Sequence, residues 1–312
     1  MRAITAIFFS VLMVSVASAA PTKLKLALNW KPEPQFGGFY AAKTGGHYTK
    51  QNLDVDVVPG GSGTPIVQMV ASGQMDFGIA SADEVVISRA HGSDVVALFA
   101  AYQTNPQAIM THEERGFKNL ADVYSSEGTL AMQKGLPYAM FLAKKYPKPK
   151  VNIVPYLGGV QNFLHDPKFS QQCFFTSEPL TAKKSGAKTK TFLVAEEGYN
   201  PYTTVLITRA DVLKKNPAIA KAVVEAVRAG WREYLDKPEA ANKLMGDLNK
   251  AMDATTFKES ADVQKPLIET DEAKKSGLGV MTEARWTQLV DQMMELKLID
   301  KKPEAKSLFT VL

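Results

Sequence analysis

Apolar runs that read as strands alternate with helical stretches through the first two thirds of the chain, and no other feature limits the fold as strongly. Strand, helix and strand in quick succession predict parallel strands joined by crossover helices. Leu24, Leu26 and Leu28 alternate with Lys23, Lys25 and Ala27 as a first strand; residues 53–58 (LDVDVV), 75–80 and 95–102 (VVALFAAY) supply three more. The helices between them open at Phe39, at Thr64-Pro65 and at Ser81, and close at Gly45-Gly46, Gly73 and Gly92. From Gly128 the alternation starts afresh, with strands at 129–133, 151–157, 172–177 and Leu193-Val194 and helices opening at Gly135-Leu136-Pro137 and near Val160. A second, mostly parallel sheet follows.

Two extended segments lie at the seams. Residues 107–111 follow Gln103-Thr104-Asn105-Pro106, and residues 202–208 follow Gly198-Tyr199-Asn200-Pro201. What comes after is helical, with Ile219, Val223, Val227, Trp231 and Leu235 on one stripe and Trp286, Leu289, Val290, Met293, Leu296 and Leu298 on another. Both tryptophans are expected in the core. A lobe interrupted by a second lobe, entered and left through these paired segments, agrees with this pattern. Paired extended crossings between lobes form a hinge.

The stretch that carries chemistry ends the first strand. Asn29 and Trp30 are followed by Pro32 and Pro34, which hold the connection open, and by Gly37-Gly38, which would let a ligand approach the backbone. An amide and an indole at a strand's carboxyl end stand where open α/β folds bind small molecules. Trp30 and Tyr40 are candidate ring-stacking surfaces, and Phe39 reads equally well as core. Ser81 can cap its helix and also face a ligand. Asp83 and Glu84 are explained by the helix dipole.

Residues 1–19 read as a secretory leader: Arg2, an apolar run over 4–16, and Ala17-Ser18-Ala19 as the cleavage site, so that the mature chain begins near Ala20. Export to a periplasm is expected, with no direct membrane insertion. The single cysteine, Cys173, excludes an internal disulfide and sits in an apolar CFF run, where it should be buried and inert. The net charge of +5 includes Arg2 and is dispersed, which argues against nucleic acid as a partner. The basic run KKYPKPK at 144–150 is broken by prolines and reads as a solvated loop. His47, His91, His112 and His165 have no metal-ligand spacing, and no GxSxG, Walker A or GxGxxG motif follows a strand. Gly60-Gly61-Ser62-Gly63 is at most a ligand or anion contact.

LNWKPEPQFGGFYAA, GQMDFGIASADEVVISRAHG, FTSEP and TTVLITRADVLKKNP resemble the NMT1/THI5-like periplasmic substrate-binding proteins over residues 24–236. The resemblance implies a type II periplasmic-binding fold of two α/β lobes with a two-segment hinge, the first lobe over 20–105, the second over 106–203, and a return to the first lobe with C-terminal helices over 204–312, acting as a monomer with the permease and ATPase subunits of an ABC importer. It implies a small heteroaromatic ligand, foremost a thiamine pyrimidine precursor, with riboflavin, alkanesulfonates or nitrate as alternatives. By similarity, Asn29 and Trp30 match the family's pair at the ligand, and Glu178 matches its acidic residue in the second lobe, although Glu178 also fits a first-turn helix acid. Ser81, Gln103, Asn105 and Tyr199 would complete the site, and Lys134 with the helix start at Gly135 could face an anionic group. Gln35-Phe36-Gly37-Gly38 departs from the histidine-containing loop of the thiamine-precursor binders. The family's eukaryotic branch is an enzyme that consumes its own histidine. Here Ala80 stands where its lysine would be, Glu84 where its histidine would be, and residues 199–203 where its cysteine-rich motif would be. A binding protein that needs no cofactor or metal is therefore expected rather than an enzyme.

Overall fold

The computed structural model describes residues 20–312; the leader expected over 1–19 lies outside the described residues. Ten strands are described: β1 (Thr22–Ala27), β2 (Leu53–Val58), β3 (Phe77–Ala80), β4 (Val95–Tyr102), β5 (Gln107–His112), β6 (Thr129–Ala131), β7 (Asn152–Val154), β8 (Phe169–Phe174), β9 (Thr189–Leu193) and β10 (Thr203–Arg209). They form two five-stranded sheets, β2-β1-β3-β10-β4 and β7-β6-β8-β5-β9. Among the described residues no helix is long and apolar enough to cross a membrane.

The two sheets share one plan, made by exchanging a strand. β1 pairs in parallel with β2 and β3, and β6 pairs in parallel with β7 and β8. β10 lies antiparallel between β3 and β4, whereas β5 lies antiparallel between β8 and β9. Thus β5 leaves the first half directly after β4 and enters the second sheet, and β10 makes the return journey. Half of the pairings in the second sheet are consequently antiparallel, not mostly parallel as its strand-helix rhythm suggests. Each exchanged strand enters its sheet from a crossing rather than through a crossover helix, so its direction is reversed.

Patterning explains which faces are buried. In β2, Leu53, Val55 and Val57 turn inward while Asp54 and Asp56 remain exposed. Every residue of β4 is buried. Its outer edge is covered by the C-terminal part of the chain: the Ala97 N–H donates to the Leu308 carbonyl at 2.9 Å, the Thr310 N–H donates to the Ala97 carbonyl at 2.8 Å, and the Ala100 N–H donates to the Gly279 carbonyl at 3.3 Å. Such cover removes an open sheet edge.

The helix Gly37–Thr44 packs against the long helix Pro217–Asp236, whose apolar stripe buries Val223, Val227, Trp231 and Leu235. Trp231 meets Phe39 edge-on, with ring centroids 5.9 Å apart. A Cβ on Gly38 would stand 2.2 Å from the Trp231 ring, and one on Gly37 2.1 Å from the Tyr234 ring. A Cβ on Gly230 would meet the Gly38 carbonyl oxygen at 2.3 Å. These glycines therefore admit neighbouring rings and backbone, in place of the ligand approach expected from the sequence. Tyr40 belongs to the same core: it is 1% exposed and its hydroxyl has no protein partner. It does not face the cleft, which corrects its reading as a stacking surface. Trp231 and Trp286 are both fully buried, as their helical stripes predict.

Candidate ligand cleft

A cavity of about 760 Å³ opens between the two sheets. Its walls come from the turn after β1, the ends of β6 and β8, the start of β10, and the segment between Asn249 and Thr256. Ligand pockets of small-molecule binders fall in this size range, and strand carboxyl ends are their usual place.

The wall from the first half is built on Asn29 and Trp30. Past the end of β1, the Leu28 N–H donates to the Val58 carbonyl at 2.9 Å, and the Gly60 N–H donates to that of Trp30 at 3.0 Å. A Cβ on Gly60 would lie 1.9 Å from the Leu28 carbonyl oxygen, so only glycine lets this loop lie against the strand and fix the turn. The loop of small residues thus serves the backbone, and its members do not line the cavity. Trp30 is left 37% exposed, with Nε1 donating to Glu33 Oε1 at 3.2 Å.

The opposite wall forms where β8 gives way to the helix Glu178–Lys184. Glu178 Oε2 accepts from the Phe174 N–H at 2.8 Å, and Oε1 accepts from the Tyr156 hydroxyl at 3.1 Å. Burial raises its pKa above the ordinary carboxylate value, against the pull of these donors. Glu178 is thus both a first-turn helix acid and part of the cavity wall. Beside it, Gln172 Oε1 accepts from the Gln133 N–H at 2.6 Å and from the Tyr138 hydroxyl at 2.5 Å, while Gln172 Nε2 donates to Gln133 Oε1 at 2.9 Å. Cys173 is buried, and burial pushes its thiol pKa well up, away from reactivity. Over the cavity, Lys184 reaches Asp253 Oδ1 at 2.9 Å and the Thr256 hydroxyl at 2.5 Å, tying the two halves together.

Glu33 faces the same space. Burial first, and then the charge of Glu178, raise its pKa to about 7. A carboxyl that holds its proton more tightly when folded destabilises the fold once ionised. The penalty is absent below the unfolded pKa near 4.5, grows as pH rises to about 7, and is complete above that. Glu33→Gln should therefore raise the melting temperature at pH 8 and leave it nearly unchanged at pH 4. Differential scanning calorimetry at the two pH values checks this, and an equal effect at both would remove the buried-charge explanation.

Of the residues expected at the site, the cavity wall brings together Asn29, Trp30 and Glu178. Ser81 does not reach it. Ser81 caps the helix Ala82–Ala90, and its N–H donates to Glu84 Oε2 at 2.8 Å in a capping box. Gln103 is 2% exposed, and its Nε2 donates to the carbonyls of Ala100 and Val280 at 3.0 and 3.1 Å. The Asn105 N–H donates to Asn200 Oδ1 at 2.8 Å, and its own side chain accepts from the Gln107 N–H at 2.9 Å, joining the two crossings. Tyr199 is buried, with its hydroxyl donating to Asp83 Oδ2 at 2.6 Å. Gly135 is exposed in the loop before the helix Pro137–Lys145, and its neighbours Gln133 and Leu136 line the cavity in its stead. Ser81, Gln103, Asn105 and Tyr199, each near a crossing or helix start, satisfy backbone and buried groups, and none of the five residues lines the cavity.

Several lining residues went unread in the sequence. Glu33, Gln172 and Tyr156 carry no motif. Asn249 arrives from the C-terminal helices, where its Nδ2 donates to the Pro32 carbonyl at 3.1 Å. Thr204 lines the cavity with φ at 54°, a left-handed conformation costly for a β-branched residue and forced where β10 leaves its crossing.

Comparison with known proteins bears on the identity of this architecture. A 4-amino-5-hydroxymethyl-2-methylpyrimidine phosphate synthase of Saccharomyces cerevisiae is 25% identical over 76 residues, 24% of this chain and 22% of its own length. A formylaminopyrimidine-binding protein of Halalkalibacterium halodurans is 25% identical over 100 residues, 32% of this chain and 30% of its own. The chain thus spans less than a third of either relative. A riboflavin-binding protein of Chloroflexus aurantiacus is 21% identical over 94% of this chain and 87% of its own. The periplasmic aliphatic sulphonate-binding protein of Escherichia coli superposes with a TM-score of 0.70 at 14% identity, covering 94% of each chain, which shows a shared periplasmic-binding-protein fold. The NMT1/THI5-like sequence profile matches residues 33–241, more than half of the 312, so the chain belongs to the NMT1/THI5-like family.

Proposed function

We propose that the protein is the solute-binding component of an ABC importer, exported to the periplasm and capturing a small flat heteroaromatic molecule between its two halves. The observation that carries this reading is a cavity with an exposed indole, Trp30, on one wall and a half-buried carboxylate, Glu178, on the other. A ring stacks on the indole while the carboxylate accepts from an amino group. Closure of the halves about the crossings at 103–106 and 199–202 holds the ligand and makes the form that a permease with its ATPase recognises. The favoured ligand is a thiamine pyrimidine precursor of the hydroxymethyl- or formylaminopyrimidine type. The protein then acts as a monomer without catalysis, because Ala80 and Glu84 stand where the resembling enzyme branch keeps its lysine and histidine.

Riboflavin is the second reading. It is favoured by a flavin-binding relative aligned along 94% of the chain and by a cavity roomy enough for a larger ring system. A thermal-shift panel of residues 20–312 with hydroxymethylpyrimidine, its formylamino analogue, thiamine, riboflavin, taurine and nitrate tests both. Ligand binding confined to the folded state raises the melting temperature, by about 2.7 kcal/mol of stability at a hundredfold excess over Kd. A saturable shift with an aminopyrimidine is the expected result. A shift with riboflavin alone moves the assignment to the flavin, and no shift with any solute overturns the binding role.

A further inference from the structure

The charge of the cleft goes further than its shape. Glu33, from the turn after β1, and Glu178, from the end of β8, line one cavity from opposite halves. Among the described residues, neither carboxylate forms an ion pair within 4.0 Å. Lys184, which also lines the cavity, is already held by Asp253 and Thr256. Lys31, exposed on the turn, also lines the cavity, and its charge pulls the Glu33 pKa down by less than burial and Glu178 raise it. Asp253 lines the cavity paired with Lys184, and the remaining polar lining is neutral, with amides such as Asn29, Gln133 and Gln172 and hydroxyls such as Tyr156, Ser177 and Thr181.

Both acids keep acceptor capacity unused. Glu33 Oε1 takes the Trp30 indole N–H, while its Oε2 has no protein donor among the described residues. Each oxygen of Glu178 accepts a single hydrogen bond from another residue and keeps acceptor capacity. Two acids sharing a sheltered space repel one another when both are ionised. A cation lying between them relieves that repulsion, whereas an anion adds to it. The indole face of Trp30 also attracts positive charge. The local sign is opposite to the net charge of +5 of the whole chain, so it is not a reflection of overall composition.

We propose that the cleft selects a planar cation, which lies on Trp30 and donates hydrogen bonds from opposite edges to Glu33 and Glu178, and that it rejects anions of the same outline. This rests on the reading of the cavity as a solute site and narrows the solute to a class. Sulphonates and nitrate then fall outside its range, although proteins of this fold bind them.

Calorimetric titration of residues 20–312 with benzamidine, benzamide and benzoate tests the proposal, since the three share a planar outline and differ in charge and donors. Benzamidine should bind tightest and benzoate at least roughly tenfold more weakly, and Glu33→Gln and Glu178→Gln should each weaken benzamidine by about tenfold. Melting temperatures measured alongside confirm that the variants fold. If Glu178→Gln melts early through loss of its internal hydrogen bonds, Glu178→Asp replaces it and must retain the preference for the cation. Benzoate binding as tightly as benzamidine, no benzamidine binding at millimolar concentration, or benzamidine affinity unchanged in either Gln variant overturns the proposal. A preference for benzoate would leave the solute-binding role standing, whereas failure of every solute in the thermal-shift panel removes that role itself.

Discussion

Gly38→Ala is expected to lower the unfolding free energy by about 3 kcal/mol, at the upper end of the cost of overpacking a filled core. The added methyl would stand 2.2 Å from the Trp231 ring, and Trp231 is fully buried. Neither partner can yield easily. Trp231 is wedged between Phe39 and Tyr234, with centroids 5.9 and 6.0 Å away, and Gly230 on the facing helix already touches the Gly38 carbonyl. The two helices would have to separate, opening voids along the stripe. Urea unfolding of the wild type and the variant gives the difference directly. Full stability combined with lost ligand affinity would contradict the packing role and restore the sequence-based view that these glycines admit a ligand.

Trp30→Ala should do the reverse. The indole is 37% exposed and makes one side-chain hydrogen bond, to Glu33, so its loss should cost the fold less than about 1 kcal/mol. As a stacking surface for a flat ligand it should carry about 2 kcal/mol of binding, roughly a thirtyfold loss of affinity. Trp231→Ala makes the contrast, because truncating a fully buried tryptophan costs about 3–5 kcal/mol of stability. Calorimetric titration and thermal melts on both variants separate the two roles. A Trp30→Ala protein that melts many degrees lower and binds normally would assign Trp30 to the core.

Most strands were legible in the sequence as alternating or wholly apolar runs bounded by glycine, proline or polar turns, whereas β8 (FSQQCF), read at 172–177, and β9 (TKTFL), read as Leu193-Val194, were placed late because polar residues fill their first halves. The order within the sheets was not, because the exchange of β5 and β10 is a pairing between distant segments that no local pattern encodes. The cleft was partly legible for the same physical reason. Asn29, Trp30 and Glu178 sit where strands end, and strand ends can be read. Gln172 and Tyr156 look like ordinary strand and loop residues, and Asn249 reaches Pro32 from over two hundred residues away in sequence. Ser81, Gln103, Asn105 and Tyr199 misled because polar residues near crossings are needed there twice over, by ligands in some folds and by unpaired backbone groups in all of them. Here they cap a helix, brace the two crossings and hold Asp83. The strained backbone of Thr204 has no signature in its sequence neighbours.

The central claim is that the ligand lies against Trp30 in the cavity between the sheets. Of the three tryptophans, Trp231 and Trp286 are fully buried, which leaves Trp30 as the one open to an added molecule. A fluorescence titration of residues 20–312, with red-edge emission followed against the solute that gives the largest thermal shift, addresses the claim directly. The expected result is saturable quenching with the same midpoint as the thermal shift, abolished in Trp30→Phe. A thermal shift with no change in the emission of the exposed tryptophan would put the ligand elsewhere and contradict the account.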